Sequence, residues 1–154
     1  MKMLLCVLVL IIFTIFGYIL AIKYRERKNF YKDFSFFNIS LTNEISFGQN
    51  TIINIVKNLE SNSNFNDKLK EFFLSNTNSQ LDVSFLDNDE NAFFKLYLDN
   101  IGKADKESQL LYLNQIDVYL NEKVQKSQLD YDKYYLTSIK MGFLIGLIAF
   151  VFLI

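Results

Sequence analysis

Two long apolar stretches flank a charged middle, and this arrangement limits what the chain can fold into more than any other feature. The chain has 154 residues, with 16 basic and 17 acidic side chains. Every one of these charges except that of Lys2 lies between Lys23 and Lys140. Long uncharged stretches would expose large apolar surfaces to water, so both are expected to enter a membrane. The sequence predicts an N-terminal transmembrane helix over residues 1–22, a helical domain over 23–140 and a C-terminal transmembrane helix over 141–154.

The first stretch is long enough to cross a bilayer by itself. Met3 to Ile22 is almost entirely apolar, and twenty residues of helix span about 30 Å. A cleaved signal peptide would have a shorter apolar region and a cleavage site of the small-x-small type. The stretch runs into Ala-Ile-Lys-Tyr-Arg, which offers no such site. The interpretation is therefore a retained membrane anchor.

Basic residues next to the first anchor predict its orientation. Only Lys2 precedes the anchor, whereas five basic residues follow it within ten positions: Lys23, Arg25, Arg27, Lys28 and Lys32. An excess of Lys and Arg marks the cytoplasmic side of a membrane. The N-terminus is expected to face outward, with the charged domain in the cytoplasm. The second stretch follows Lys140, so both termini are expected to lie outside.

The second stretch is shorter than a full span. Met141 to Ile154 covers roughly 21 Å as a helix, against a hydrocarbon core of about 30 Å. It therefore reads as the tip of a longer helix that starts near Lys106. Gly142 and Gly146 have the four-residue spacing that allows helices in lipid to approach closely, although an apolar helix can hold such a pair by chance. We expect them to pack on the first anchor, with Gly17 facing them.

The pattern of apolar residues predicts an all-α fold. Phe30, Phe34, Phe37, Leu41 and Ile45 form one helical stripe, which continues the first anchor as far as Gly48, a residue able to adopt the left-handed conformation. The last helix should begin after an Asp105 cap and run on from Lys106, because no Pro occurs in the chain. Its inward seam is predicted to hold Leu113, Ile116, Leu120, Val124 and Ser127.

Three short helices are predicted between the two long ones. The first follows a cap at Asn50 or Thr51, and the second covers Asp67 to Ser75. The third follows a cap at Asp87 or Asn88 and reaches Ile101. Residues 60–66 and 76–80 are polar loops, and residues 81–85 are extended loop rather than an isolated strand. The third helix is expected to bury Phe93, Leu96, Tyr97 and Ile101.

No pattern in the chain indicates catalysis. There is no His, no Gly-rich phosphate loop and no metal-ligand spacing, and the one Cys, Cys6, lies in the first anchor. Asp87, Asp89 and Glu90 lack the spacing and the glycine of a calcium loop, so helix capping is the favoured explanation. The predictions are no enzymatic activity, no cofactor, no metal and no nucleic-acid partner.

Three stretches together resemble one known family. They are Leu41 to Ile52 (LTNEISFGQNTI), Ile101 to Gln109 (IGKADKESQ), and Tyr131 to Ile154 with its glycine pair. The order of an anchor, a helix ending in Glu-Ile-x-x-Gly, a Gly-x-x-Asp-x-x-x-Gln helix start and a terminal membrane helix is similar to the stage III sporulation protein AB family. The positions that match this pattern are Glu44, Ile45, Gly48, Gly102, Asp105, Gln109, Gly142 and Gly146.

The resemblance implies a structural role in endospore formation. It implies a helical bundle like the F-type platform proteins of type II secretion, within the channel complex between mother cell and forespore. The implied partners are the other membrane subunits of that complex and a secretion-type ATPase in the cytoplasm, with the lipid bilayer around the anchors. The implied location is the membrane of the mother cell that surrounds the forespore, and the matched residues would serve helix packing or interaction. Assembly into a homo-oligomer stays open.

Two other functions are compatible with the residues alone. One is a generic membrane scaffold in envelope or cell-division assembly, which would be needed during vegetative growth. The other is a small membrane enzyme or a holin-like pore. The lack of His argues against the enzyme, and the charged domain over 23–140 argues against the pore.

Overall fold

The chain folds into helices wherever its structure is described. The computed structural model describes residues 2–48, 51–59, 63–74 and 82–153, and this part of the chain contains no strand. The described residues form five helices in order: α1 Lys2–Phe47, α2 Ile52–Asn58, α3 Asn64–Leu74, α4 Asn88–Asn100 and α5 Lys106–Leu153. The all-α fold predicted from the sequence is confirmed, including its two long apolar helices.

Both long helices run without a break, as predicted. The helix α1 has 46 residues and α5 has 48, since no Pro removes a backbone donor from either. The first ends at Phe47, and the amide of Gly48 still donates to the carbonyl oxygen of Glu44 at 2.8 Å. Among the described residues, the left-handed conformation suggested for Gly48 occurs instead at Gly102, with φ +78°. That glycine separates α4 from α5.

Side chains of Thr51 and Ser63 set the starts of the first two short helices. The hydroxyl of Thr51 accepts from the amide of Asn54 at 3.4 Å, whereas the other candidate cap, Asn50, lies outside the described residues. The hydroxyl of Ser63 accepts from the amide of Asn66 at 3.3 Å. Consequently α3 begins at Asn64, three residues before the predicted start. The polar loop predicted over 60–66 is therefore wrong at its end.

A capping box fixes the start of α4. The carboxylate of Asp87 accepts from the amide of Glu90 at 2.8 Å, and Glu90 reaches back to the amide of Asp87. The predicted cap is confirmed, but the predicted inward face is only partly right. Tyr97 and Ile101 are buried as expected, and Phe93 is partly buried. Leu96 is 58% exposed, and the burial predicted for it falls instead to Phe94 and Leu98.

The chain divides into two compact units. The first, here called the helix-pair unit, combines Met1–Lys28 with Lys126–Ile154, and the second, the core unit, is Asn29–Gln125. The helix-pair unit therefore holds the start of α1 and the end of α5. The domain boundaries predicted at residues 22 and 140 stay a prediction.

The helix-pair unit consists of two antiparallel helix segments with apolar outer surfaces. Contacts between Gly17 and Gly142 and between the rings of Tyr24 and Tyr134, whose centroids are 5.5 Å apart, show the antiparallel register. Large apolar side chains remain about half exposed, such as Phe16 at 59%. Both long helices contain stretches long and apolar enough to cross a membrane. Lipid is a suitable surrounding for such side chains.

The core unit is built around aromatic rings. The predicted stripe of α1 is confirmed, with Phe30, Phe34, Phe37 and Leu41 at most 1% exposed. The ring of Phe34 lies 4.7 Å from that of Tyr97, measured between centroids. Phe65 of α3, which the sequence had placed in a loop, is fully buried among the rings. The seam of α5 is also confirmed, since Leu113, Ile116 and Leu120 are buried in the core unit and Val124 packs against its core. Ser127, which belongs to the helix-pair unit, is buried as well.

Candidate functional site

The end of α1 holds two of the residues named from the sequence. Gly48 is exposed, and the side chain of Glu44 folds back over it, so that any Cβ at position 48 would overlap the Glu44 carboxylate. One oxygen of that carboxylate, Oε2, is buried. A side chain at position 48 would therefore require the flexible end of Glu44 to move. Ile45, also part of the matched pattern, packs against the core.

The start of α5 holds three more. The side-chain oxygen Oε1 of Gln109 accepts from the amide of Gly102 at 3.0 Å, and the carboxylate of Asp105 accepts from the amide of Ser108 at 3.1 Å. Hydrogen bonds from Ser108 lower the pKa of Asp105, because they stabilise the charged carboxylate. The spacing seen in the sequence is therefore that of a turn closed by Gln109 and a helix capped by Asp105.

The side-chain amide of Gln109 is buried, and in the described part of the chain its oxygen forms a hydrogen bond whereas its nitrogen does not. Its residue is 3% exposed, and its Nε2 has no hydrogen-bond partner among the residues that the structure describes. A buried amide donor without a partner is costly, at about 1–3 kcal/mol. The bond from Gly102 to Oε1 fixes which end of the amide points toward the turn. The other end remains a donor inside the core unit.

These two helix ends meet at one corner of the core unit. The Nζ of Lys106, the first residue of α5, donates to the carbonyl oxygen of Ser46 at 3.0 Å, near the end of α1. A Cβ at Gly102 would lie 2.8 Å from Cδ1 of Ile52, the first residue of α2. We call this junction the helix-end corner and define it by Glu44, Gly48, Gly102, Asp105 and Gln109. An exposed aromatic residue, Phe47, stands beside it with 91% of its surface free.

The two remaining named residues lie in the helix-pair unit. A Cβ at Gly142 would lie 2.7 Å from the carbonyl oxygen of Phe13 and 2.8 Å from Cα of Gly17. A Cβ at Gly146 would lie 3.1 Å from the carbonyl oxygen of Leu10. The backbones of the two helix segments therefore touch at these positions. The structure places Gly17 against Gly142, and the part this contact has in assembly stays a prediction.

A buried polar network in the core unit was missed by the sequence reasoning. The amide of Asn38 donates to the carbonyl oxygen of Leu113 at 3.1 Å and accepts from the hydroxyl of Tyr97 at 3.3 Å. It thereby joins α1, α4 and α5. Burial raises the pKa of Tyr97 well above its usual value. The sequence contained a signal for the burial of Asn38, because this residue lies one helical turn from Phe34 on the apolar stripe.

An ion pair between α4 and α5 was also missed. The Nζ of Lys123 lies 2.8 Å from Oε1 of Glu90, whose side chain is 3% exposed. Burial alone would lower the pKa of Lys123, but the hydrogen bond and the negative charge of Glu90 raise it. The same carboxylate completes the capping box of α4, so it serves two elements at once. Nothing in local spacing links residues 33 positions apart.

The polar groups of the helix-end corner hold backbone together rather than face a substrate. Asp105 and Gln109 bind amides of their own turn, and Lys106 binds a carbonyl of α1. Among the described residues there is no group of three or more His, Cys, Asp or Glu side chains able to hold a metal ion. The arrangement is that of a junction between helix ends.

Comparison with known protein families identifies a match for the first half of the chain. The sequence model of the stage III sporulation protein AB family matches residues 2–83, just over half of the chain. The matched part includes α1, with Glu44 and Gly48 at its end, and extends through α2 and α3. Neither a curated protein nor a solved structure matches the chain.

Proposed function

Because the chain belongs to the stage III sporulation protein AB family, we propose that it is a structural platform subunit of the secretion-like channel between mother cell and forespore. The observation that carries the proposal is the family match, which covers the whole of α1 and the α1 side of the helix-end corner. The two long apolar helices and the family together indicate a membrane protein. The channel role is the finer step that we propose.

The proposed location is the membrane of the mother cell around the forespore, with both termini outward. Four basic residues, Lys23, Arg25, Arg27 and Lys28, follow the apolar part of α1, and Lys133 and Lys140 precede that of α5. Basic residues are enriched on the cytoplasmic side of membrane helices. In this orientation the charged part of the chain between Lys23 and Lys140 lies in the cytoplasm.

The proposed role is to bind and position other proteins, without catalysis, cofactor, metal or nucleic acid. The expected partners are the other membrane subunits of the complex and a secretion-type ATPase in the cytoplasm, with self-association as a further contact. The helix-end corner is the surface we propose for the ATPase. Aromatic residues contribute strongly to protein interfaces, and Phe47 at the corner is 91% exposed.

A complementation experiment tests both the role and the surface. A strain lacking the gene is expected to complete engulfment but to stop in later forespore development, and the wild-type gene should restore spores. The variant Phe47→Ser should restore fewer spores and co-purify less ATPase, by roughly tenfold if this side chain is an interface hot spot worth about 1.4 kcal/mol or more.

The matched control is Leu96→Ser, because Leu96 is also an exposed apolar residue, at 58%, but belongs to the middle of α4. It should behave like the wild type in both assays. Normal spores from the deletion strain would overturn the channel role. A growth defect of that strain in vegetative cells would support the envelope scaffold instead. Equal ATPase recovery with both variants would overturn the corner as the binding surface.

A further inference from the structure

Tyrosines and basic residues are concentrated in one part of the helix-pair unit. Residues 23–28 of α1 and 126–140 of α5 contain seven basic side chains, three acidic ones and four tyrosines. Both segments border the apolar stretches of their helices. We call them together the tyrosine–lysine belt. Its excess of positive charge is local, because the whole chain has a formal net charge of −1.

Aromatic contacts join the two helix segments inside this belt. Tyr24 stacks on Tyr134 with ring centroids 5.5 Å apart, and the Nζ of Lys28 lies 3.8 Å from the ring centroid of Tyr131. Within α5, the ring centroid of Tyr135 lies 4.8 Å from that of Tyr131. The contacts of Tyr24 and Lys28 place this part of α1 beside Tyr131 and Tyr134 of α5. The belt is thus a single surface made by both helices.

Four lysine side chains of the belt are exposed, and Lys126 is one of them. The other three, Lys23, Lys133 and Lys140, form no salt bridge within the described part of the chain, and the Nζ of Lys133 lies 4.8 Å from the ring centroid of Tyr134. The apolar side chains next to the belt are exposed as well, including Ile19 at 51% and Leu144 at 52%. Exposed cations adjoin an exposed apolar surface. This arrangement is complementary to a phospholipid, in which a negatively charged phosphate lies beside apolar acyl chains.

We propose that the tyrosine–lysine belt binds the headgroups of anionic phospholipids in preference to those of zwitterionic ones. Lysine ammonium groups supply the attraction, and tyrosine rings occupy the boundary between headgroups and acyl chains. The apolar surfaces of the two helices accept the acyl chains. The inference rests on insertion into a membrane and does not depend on the channel role.

Spin-labelled lipids measure this preference directly. The full chain is reconstituted in phosphatidylcholine vesicles that contain a trace of spin-labelled phosphatidylglycerol or spin-labelled phosphatidylcholine. Electron paramagnetic resonance then gives the fraction of each label held at the protein surface. We expect the association constant for phosphatidylglycerol to exceed that for phosphatidylcholine by about threefold at low salt. The ratio should fall toward one in 1 M salt, where charges are screened within about 3 Å.

Two triple variants with the same change of charge locate the effect. Lys23→Gln, Lys133→Gln and Lys140→Gln together remove three of the four exposed lysine charges of the belt, and the ratio should fall toward one. Lys57→Gln, Lys95→Gln and Lys103→Gln together remove three exposed charges of the core unit, and the ratio should stay as in the wild type. Circular dichroism checks that both variants remain helical.

Each outcome of this comparison supports or overturns the proposed lipid preference of the belt. A belt variant that keeps the full preference for phosphatidylglycerol would overturn the proposal, as would a core-unit variant that loses it equally. A wild-type ratio of one would show that the belt anchors the helices without selecting a headgroup, and would overturn it too. Loss of sporulation in the deletion strain is a separate result, so failure of one proposal leaves the other standing.

Discussion

The two units of this chain treat their large apolar side chains in opposite ways. In the core unit, Phe30, Phe34 and Phe37 are at most 1% exposed, whereas in the helix-pair unit Ile15 and Phe16 of the same helix are 51% and 59% exposed. Water drives apolar side chains inward, so the core unit packs rings on rings. Lipid exerts no such drive, and the helix-pair unit brings its helices together through glycines and backbone. One helix thus follows two rules of packing along its length.

Removing one aromatic ring from each unit should show the largest difference in stability between the two units. The change Phe34→Ala empties a site where the ring meets those of Phe65, Phe94 and Tyr97, and should cost about 3–5 kcal/mol of stability in the core unit. Phe16→Ala removes a half-exposed ring and should cost no more than about 0.5 kcal/mol. Hydrogen exchange of the full chain in detergent micelles gives the free energy of opening, measured at the α4 amides for Phe34→Ala and at the α1 amides around Phe16 for Phe16→Ala. Equal costs would show that the two units do not differ in this way.

Filling the glycine contact should have the next largest effect and should act on the helix-pair unit. Replacing Gly142 and Gly146 with Leu forces side chains into backbone, at a cost of about 1–3 kcal/mol for each site. The protein should stay in the membrane fraction while the two segments separate. Spin labels at Lys23→Cys and Thr137→Cys, in a Cys6→Ser background, should report a longer and broader distance by double electron–electron resonance.

Enlarging a side chain on the outer surface serves as the control for the glycines. Val151→Leu adds volume to the same helix at a site that is 72% exposed, and it should leave the distance unchanged. If the double-leucine protein gave the same narrow distance as this control, the glycines would not be the contact that holds the segments together.

The smallest predicted effect concerns the ion pair of Glu90 and Lys123 and its dependence on pH. The folded pKa of Lys123 is raised above the usual 10.5, so the pair contributes its full stability below that pH and loses it as pH rises through the folded value. Lys123→Met should therefore destabilise the core unit by about 1 kcal/mol near neutral pH, and the difference from the wild type should shrink above pH 10.5. Thermal unfolding monitored by circular dichroism measures it. Lys95→Met, at an exposed site on α4, should show no such change with pH.

Local sequence was sufficient for the long helices. The stripe from Phe30 to Ile45 and the seam from Leu113 to Ser127 each place apolar residues at helical spacing, and neither helix contains a Pro. The absence of charged residues identified the two segments whose outer surfaces are apolar. These features depend on residues a few positions apart, which is the range that a pattern in sequence can report.

Tertiary contacts decided what local sequence could not. Phe93, Phe94, Leu96, Tyr97 and Leu98 place apolar residues on nearly every side of α4, so spacing could not choose its buried face. Contacts of Phe94 with Phe30, Phe34 and Phe65 make that choice. The start of α3 was missed because Asn64 and Asn66 resemble loop, while burial of Phe65 favours helix.

For the candidate site, too, the sequence indicated the residues but not their contacts. The resemblance named Glu44, Gly48, Gly102, Asp105 and Gln109, but their meeting at one corner depends on contacts such as that of Lys106 with Ser46, 60 positions apart. The network around Asn38 and the pair of Glu90 with Lys123 also join distant residues. A list of residues could be read from the sequence, and their common location could not.

The glycine contact has a consequence for heat capacity. Unfolding raises the heat capacity of a protein because apolar surface becomes hydrated. Where Gly17 meets Gly142, separation of the helices exposes backbone and apolar side chains to acyl chains instead of water. That separation should add almost nothing to the heat-capacity change, whereas opening the ring cluster of the core unit should supply nearly all of it. In a calorimeter, separation of the helix-pair unit should leave the heat-capacity baseline almost unchanged.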